Sequence, residues 1–99
     1  RYHDDNFHSN HYEGVGNVEI SFSVNDGIVS HAKLFGDFNK ANGNLKEIED
    51  KIAGVPFEKD NLEEAFSHTH LADNIGNLTP AQMADLMVNP VYQQKQQEG

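Results

Sequence analysis

The sequence predicts a small α+β domain, an antiparallel sheet of two or three strands packed with three helices. Two observations carry this prediction. Apolar and polar residues alternate on either side of a single Asn-Asp-Gly turn, and the second half of the chain carries three helix-capping spacings. With 99 residues, the chain has the size of one domain with a single modest core.

A β-hairpin is predicted from residue 18 onward. Asn25-Asp26-Gly27 supplies its turn, since Gly readily adopts positive φ and Asn and Asp tolerate it better than most residues. The first strand places apolar side chains at every second position: Val18, Ile20, Phe22 and Val24. In the second strand both faces are mixed, with Ile28, Ser30, Ala32 and Leu34 against Val29, His31, Lys33 and Phe35. This pattern suits a strand that is covered on both sides.

Three helices are predicted from a short polar cap that stands three residues before Glu or Gln: Asn44 with Glu47, Asp60 with Glu63, and Thr79 with Gln82. Gly54 stands where a left-handed cap would end the first helix, and Pro80 is at the first position of the third. The expected core stripes are Leu45, Ile48 and Ile52; Leu62, Ala65 and Phe66; and Met83, Ala84, Met87 and Val88.

The periodic part of the chain sets the expected domain boundaries. Residues 1–16 lack a sustained period and are interpreted as a linker or irregular leading segment, residues 17–89 as the domain, and residues 90–99 as a polar tail. The start at Arg1 rather than Met suggests a fragment or processed product. The sequence lacks the roughly 18 consecutive apolar residues of a membrane span and a signal-like N-terminus, so we expect a cytoplasmic protein.

Charge and composition disfavour several functions. The chain has 16 acidic and 7 basic residues and a formal net charge of -9, which argues against nucleic acid and anionic membranes as partners. It has no cysteine, which excludes disulfides, thiolate metal sites, cysteine nucleophiles and persulfide carriage.

The histidines are the candidate metal ligands. His3, His8 and His11 are of a type that suits zinc or nickel, but a polar linker whose histidines never converge is the favoured interpretation, so no metal site is predicted. His68 and His70 are likewise not expected to form a site. The sequence also shows no nucleophile, base and oxyanion hole together, and no catalytic residue is predicted.

Three stretches carry a resemblance to a known family: GNVEISFSVNDGIVSHAKLFGDF, LKEIEDKIAGVPFEKDNLEEAF and NIGNLTPAQMADLM. In this order they resemble the C-terminal accessory domain of bacterial lipoate-protein ligases, from about Gly16 to Met87. The resemblance rests on the order of the elements, on the strand that ends in Gly36-Asp37-Phe38, and on the Gly54-x-x-Phe57 turn. Two departures are the stretch NKANGN after the Gly-Asp-Phe, where members often continue with a second aromatic and glycines, and residues 1–13.

The resemblance implies that the chain is part of a ligase without being catalytic alone. In this family, ATP and lipoate give lipoyl-adenylate and pyrophosphate, and the lipoyl group then passes to a lysine of a lipoyl carrier domain. The resemblance implies that a separate catalytic domain binds ATP, magnesium and lipoate, and that the small domain packs against it without a cofactor of its own. It also implies a scaffold similar to SufE and NifU.

A contact with that catalytic domain is hypothesised at the end of the hairpin, where the glycine would allow close backbone approach and the aromatic rings would make contact: Phe35, Gly36, Asp37 and Phe38. In the alternative, Phe35 and Phe38 fill the core and Asp37 caps a turn. For the whole chain, the alternative function is a stand-alone docking or regulatory module with no role in adenylation. Acidic carrier domains would repel a chain of net charge -9, which disfavours this alternative.

Overall fold

The computed structural model describes residues 6–36 and 45–89. Their three strands form one antiparallel sheet in the order β1-β2-β3: β1 Asn6–Tyr12, β2 Gly16–Asn25 and β3 Ile28–Gly36. The four helices are α1 Leu45–Ile52, α2 Lys59–Ser67, α3 Leu71–Ile75 and α4 Pro80–Val88. The α+β prediction is confirmed, with the short helix α3 in addition to the three predicted helices.

Strand β1 is a regular strand inside the segment interpreted as a linker or irregular leading segment. It pairs with β2 along its whole length, from Asn6 opposite Phe22 to Tyr12 opposite Gly16. On its helix side, the His8 Nδ1–H donates to the carbonyl oxygen of Leu86 at 3.0 Å, and the imidazole meets the Phe22 ring edge-on at 5.1 Å. Backbone pairing and a polar anchor therefore hold β1, and no apolar alternation marks it in the sequence.

The β2–β3 turn is the predicted one, but the strand after it differs from the prediction. Asp26 and Gly27 have φ of 56° and 76°, as a type I′ hairpin turn requires. A bulge between Ser23 and Val24 then shifts the register of β3. Because of this shift, Val29 faces the helices together with Ala32 and Leu34, whereas Ile28, Ser30, Lys33 and Phe35 are exposed. The expectation of a strand covered on both sides is therefore wrong.

The predicted helix caps have three different outcomes. At α4 the capping box is present, with the Gln82 N–H donating to Thr79 Oγ1 at 3.1 Å and the Thr79 N–H donating to Gln82 Oε1 at 2.9 Å. At α2 the prediction of an Asp60 cap is wrong: the N-cap is Glu58, whose side chain makes no capping hydrogen bond. Asn44 lies outside the described residues.

The helices cover one side of the sheet, and the core lies between the two layers. All predicted stripe residues are buried or pack against this core. Gly54 has the predicted positive φ, 91°, and its N–H donates to the carbonyl oxygen of Val29 at 2.7 Å. Val29 N–H in turn donates to the carbonyl oxygen of Val55 at 2.9 Å. The chain after α1 thereby covers part of the outer edge of β3, which would otherwise expose unpaired backbone groups.

Candidate functional site

The hypothesised contact residues lie at the end of β3. Phe35 is opposite Glu19 of β2, and its side chain is 43% exposed. Gly36 is the last residue of the strand, opposite Val18, and is also exposed. Asp37 and Phe38 lie outside the described residues. The alternative interpretation is wrong for Phe35, because this ring does not fill the core of the domain.

Phe35 belongs to the side of the sheet that the helices leave uncovered, which we call the open face. Residues opposite each other in an antiparallel sheet project to the same side, and successive residues alternate. The register therefore gives the open face these positions: Phe7, Ser9 and His11 of β1; Asn17, Glu19, Ser21, Ser23 and Asn25 of β2; and Ile28, His31, Lys33 and Phe35 of β3.

Large hydrophobic side chains are exposed on this face. Among the described residues, three such side chains are prominently exposed, namely Phe7 at 57%, Phe35 at 43% and Ile28 at 42%. All three occupy positions of the open face, although they come from two different strands. Sequence reasoning missed Phe7 because the strand that carries it lacks an apolar period; an isolated phenylalanine between Asn6 and His8 was its only mark.

Charge is distributed unevenly between the two sides of the domain. The open face carries one carboxylate, Glu19, and one ammonium group, Lys33. By contrast, residues 45–67, which contain α1 and α2, carry three lysines and seven acidic side chains: Glu47, Glu49, Asp50, Glu58, Asp60, Glu63 and Glu64. The strong acidity of the described part therefore belongs mainly to the helices, and the open face is close to neutral.

The histidines considered as metal ligands do not converge on one site within the described residues. His8 faces the helices, whereas His11 is on the open face with its Nδ1 3.1 Å from Asn17 Oδ1. His3 lies outside the described residues. His70 Nδ1 lies 3.1 Å from Glu47 Oε2, and His68 Nε2 lies 3.8 Å from a carboxylate oxygen of Glu64. In residues 6–36 and 45–89, no three His, Cys, Asp or Glu side chains are grouped to hold a metal ion.

Two glycines have a structural role in the first hairpin. Gly14, in the β1–β2 connection, and Gly16, the first residue of β2, have φ of 79° and 110°, and the Val15 N–H donates to the carbonyl oxygen of Tyr12 at 3.0 Å. A strand follows them, so this turn offers no helix N-terminus for a phosphate group.

Tyr12 has a perturbed pKa at the edge of the sheet. Burial of its phenol raises the pKa above the ordinary 10.0, and the carboxylate of Asp85 adds to this effect, while a side-chain hydrogen bond with Asn10 opposes it. Such a phenol remains neutral at physiological pH, so its perturbed pKa does not point to an acid–base role.

In the part of the chain that the structure describes, no helix is both long enough and apolar enough to cross a membrane.

Comparison with known families gives a match that covers nearly the whole domain. The family described as "Bacterial lipoate protein ligase C-terminus" matches residues 5–87. The match begins one residue before β1 and ends one residue before the last residue of α4. It therefore includes β1, which the sequence pattern had left outside the domain.

Two curated proteins are similar to this chain over most of its length. "Lipoate-protein ligase LplJ" of Bacillus subtilis (strain 168) is 30% identical over 80 residues, which are 81% of this chain and 24% of the relative. "Lipoate--protein ligase 1" of Staphylococcus aureus is 33% identical over 72 residues, which are 73% of this chain and 22% of the relative. The chain thus spans about a quarter of the length of these relatives.

Proposed function

Because this chain belongs to the family of bacterial lipoate-protein-ligase C-terminal domains, we propose that it is a ligase accessory domain that assists ATP-dependent activation of lipoate. The product of that step would be lipoyl-adenylate, from which the lipoyl group passes to a lysine of a lipoyl carrier domain. The observation that carries the proposal is the extent of the match, since residues 5–87 take in all three strands and almost all of the four helices.

In this proposal the chemistry belongs to a catalytic domain that this chain does not include. About three quarters of each curated relative lies outside the region of similarity. ATP, magnesium and lipoate would bind there, and the accessory domain would need no cofactor. The partner of the chain would be that catalytic domain, in the same polypeptide or as a separate subunit, and carrier domains would be met only indirectly, in the cytoplasm.

The hypothesised contact at the end of β3 fits such a role. Phe35 presents an exposed ring, and Gly36 beside it has no side chain to hold a partner at a distance. Aromatic residues are enriched in protein interfaces, where a ring supplies a large contact area. Asp37 and Phe38 continue this segment in the sequence and complete the proposed contact.

Lipoate-dependent pyrophosphate release tests the proposal directly. A lipoate-ligase catalytic domain without its C-terminal region would be assayed alone, with the 99-residue chain, and with an unrelated acidic domain of similar size as the control. We expect this chain to raise the rate of release and the control domain to leave it unchanged.

An absence of stimulation, with the chain folded and the catalytic domain able to bind ATP, would contradict the role in adenylation. Binding without stimulation would instead favour the stand-alone docking or regulatory module. A transfer assay from preformed lipoyl-adenylate to a carrier domain separates the two steps, because it bypasses activation.

A further inference from the structure

We infer that the catalytic part of the ligase docks on the open face of the sheet, with Phe7 of β1 and Phe35 of β3 as its two aromatic contacts. This inference rests on the proposed function and extends the contact from the end of one strand across the whole sheet. It also gives a role to β1, the strand whose sequence pattern is the least regular.

The register places the two rings on opposite sides of a strip of small and polar residues. Phe7 shares a row across the sheet with Ser21 and Lys33, whereas Phe35 shares the next row with Glu19 and, on β1, Ser9. Neighbouring strands are about 4.8 Å apart, so β1 and β3 are separated by roughly 10 Å. Ser21 and Glu19 of the central strand β2 lie between the strands that carry the two rings.

The composition of the open face is that of an interface rather than of ordinary solvent-exposed surface. Single exposed hydrophobic residues are common on proteins, but here the three prominently exposed ones of the described residues share one side: Phe7, Ile28 and Phe35. Interface cores are enriched in aromatic residues and depleted of charge. The open face combines these two properties in a chain whose formal net charge is -9.

The family and the chain path identify the occupant as the remainder of a ligase. The family is described as the C-terminus of bacterial lipoate protein ligases, so in such a ligase the preceding chain joins this domain ahead of β1. Phe7 is the second residue of β1 and lies close to that junction. A partner that begins near Asn6 can reach the open face without crossing the helical layer.

Charge complementarity predicts the chemistry of the partner surface that meets the open face. The partner surface should be apolar where it contacts the two rings, and it should place an acidic group near Lys33 and a basic group near Glu19. The helical side would remain in solvent, because acidic side chains outnumber lysines seven to three in residues 45–67 and hydrated charges are costly to desolvate. Docking on the open face would therefore leave the most acidic surface of the domain free.

Protection of single cysteines from alkylation tests this inference. The chain has no cysteine, so Lys33→Cys introduces a unique thiol on the open face. Lys59→Cys is the matched control, since Lys59 is also an exposed lysine and is the first residue of α2, on the helical side. Maleimide labelling of each variant would be followed by mass spectrometry, with and without saturating catalytic domain. We expect labelling at position 33 to slow by about tenfold on binding, and labelling at position 59 to stay unchanged.

A pair of double variants tests the two aromatic contacts themselves. Phe7→Lys with Phe35→Lys is compared with Ala53→Lys and Ala72→Lys, which add the same two charges at exposed positions outside the open face. We expect the first pair to weaken binding to the catalytic domain by about tenfold or more and the second to leave it nearly unchanged. Circular dichroism melting would show that both proteins are folded.

The outcomes separate this inference from the proposed function. If the unmodified chain neither binds nor stimulates the catalytic domain, the proposed function and the docking surface are both wrong. If it stimulates, yet positions 33 and 59 are labelled at equal rates in the complex, the proposed function stands and the open face is not the docking surface. Protection at position 59 alone would likewise overturn the inference and place the contact on the helices.

Discussion

Glu49 of α1 accepts a hydrogen bond from the backbone N–H of Leu34 in β3, with its Oε2 atom 2.7 Å from the nitrogen. Leu34 itself is buried, and its N–H points to the outer edge of the sheet rather than toward β2. A carboxylate from the helical layer therefore satisfies a backbone donor of an edge strand. This bond positions α1 against β3 close to Phe35 and Gly36, the proposed contact residues.

Loss of this carboxylate should destabilise the domain measurably. We expect Glu49→Ala to lower the free energy of unfolding by about 2 kcal/mol, because a charge-assisted hydrogen bond is lost and a backbone N–H is left unpaired. Glu49→Gln retains an acceptor and should cost less. Urea denaturation would measure both, with Glu64→Ala as the control, since the Glu64 side chain is 76% exposed and its carboxylate lies 3.8 Å from His68 Nε2 at the surface. Equal losses for Glu49→Ala and Glu64→Ala would contradict the prediction.

The β2–β3 turn should be sensitive to a side chain at Gly27. A Cβ atom there would meet no atom within 4 Å, so any loss comes from the positive φ of 76° and not from a steric clash. We expect Gly27→Ala to lower the free energy of unfolding by about 1 kcal/mol, and Gly27→Asn to cost less because Asn tolerates the left-handed region. Thermal unfolding of the two variants gives the comparison; a larger loss for Asn than for Ala would be inconsistent with this account.

The capping box of α4 should contribute to stability through Thr79. Replacement by Ala removes the oxygen that accepts from the Gln82 N–H, and we expect a loss of about 1 kcal/mol. Thr79→Ser keeps the hydroxyl oxygen and should retain most of the stability. Chemical denaturation distinguishes the two variants. Equal destabilisation by Ala and Ser would show that the methyl group, rather than the cap, matters at this position.

The raised pKa of Tyr12 should make the domain less stable at alkaline pH. Because the folded state holds the phenol proton more tightly than the unfolded state, this contribution to stability is complete below the ordinary pKa of 10.0. It is lost as the pH rises through the higher folded pKa. We expect Tyr12→Phe to flatten the decline in the free energy of unfolding in this alkaline range.

The titration itself can be followed by ultraviolet absorbance of tyrosinate. The chain has three tyrosines, so the difference between the unmodified chain and Tyr12→Phe isolates this phenol. Asp85→Asn should lower the pKa of Tyr12 only in part, because burial is the main cause of the shift and the charge of Asp85 adds to it. A Tyr12 pKa at or below 10.0 would contradict the prediction.

The sequence predicts best those features that depend on residues close together in the chain. The Asp26-Gly27 turn and the Thr79–Gln82 capping box depend on residues within a few positions of one another, and both are present. The Asp60 cap shows where a local pattern fails. Phe57 N–H donates to the carbonyl oxygen of Gly27 at 2.8 Å, which holds the chain beside the sheet until Glu58, and α2 starts directly after it. Asp60 then lies in the first turn, where a carboxylate still favours the helix.

Residue patterns along the chain were enough to predict the α+β class, the β2–β3 hairpin, the apolar stripes of the helices and the resemblance to the ligase family. That β1 is a strand follows only from the folded structure, since its pairing with β2 and the His8 contact to Leu86 join residues far apart in the chain. It also decided that Phe35 is exposed, because the bulge at Ser23 and Val24 sets which side of β3 faces the helices. Side-chain alternation is a local property, but the side that becomes buried depends on register and on the layer that packs against it.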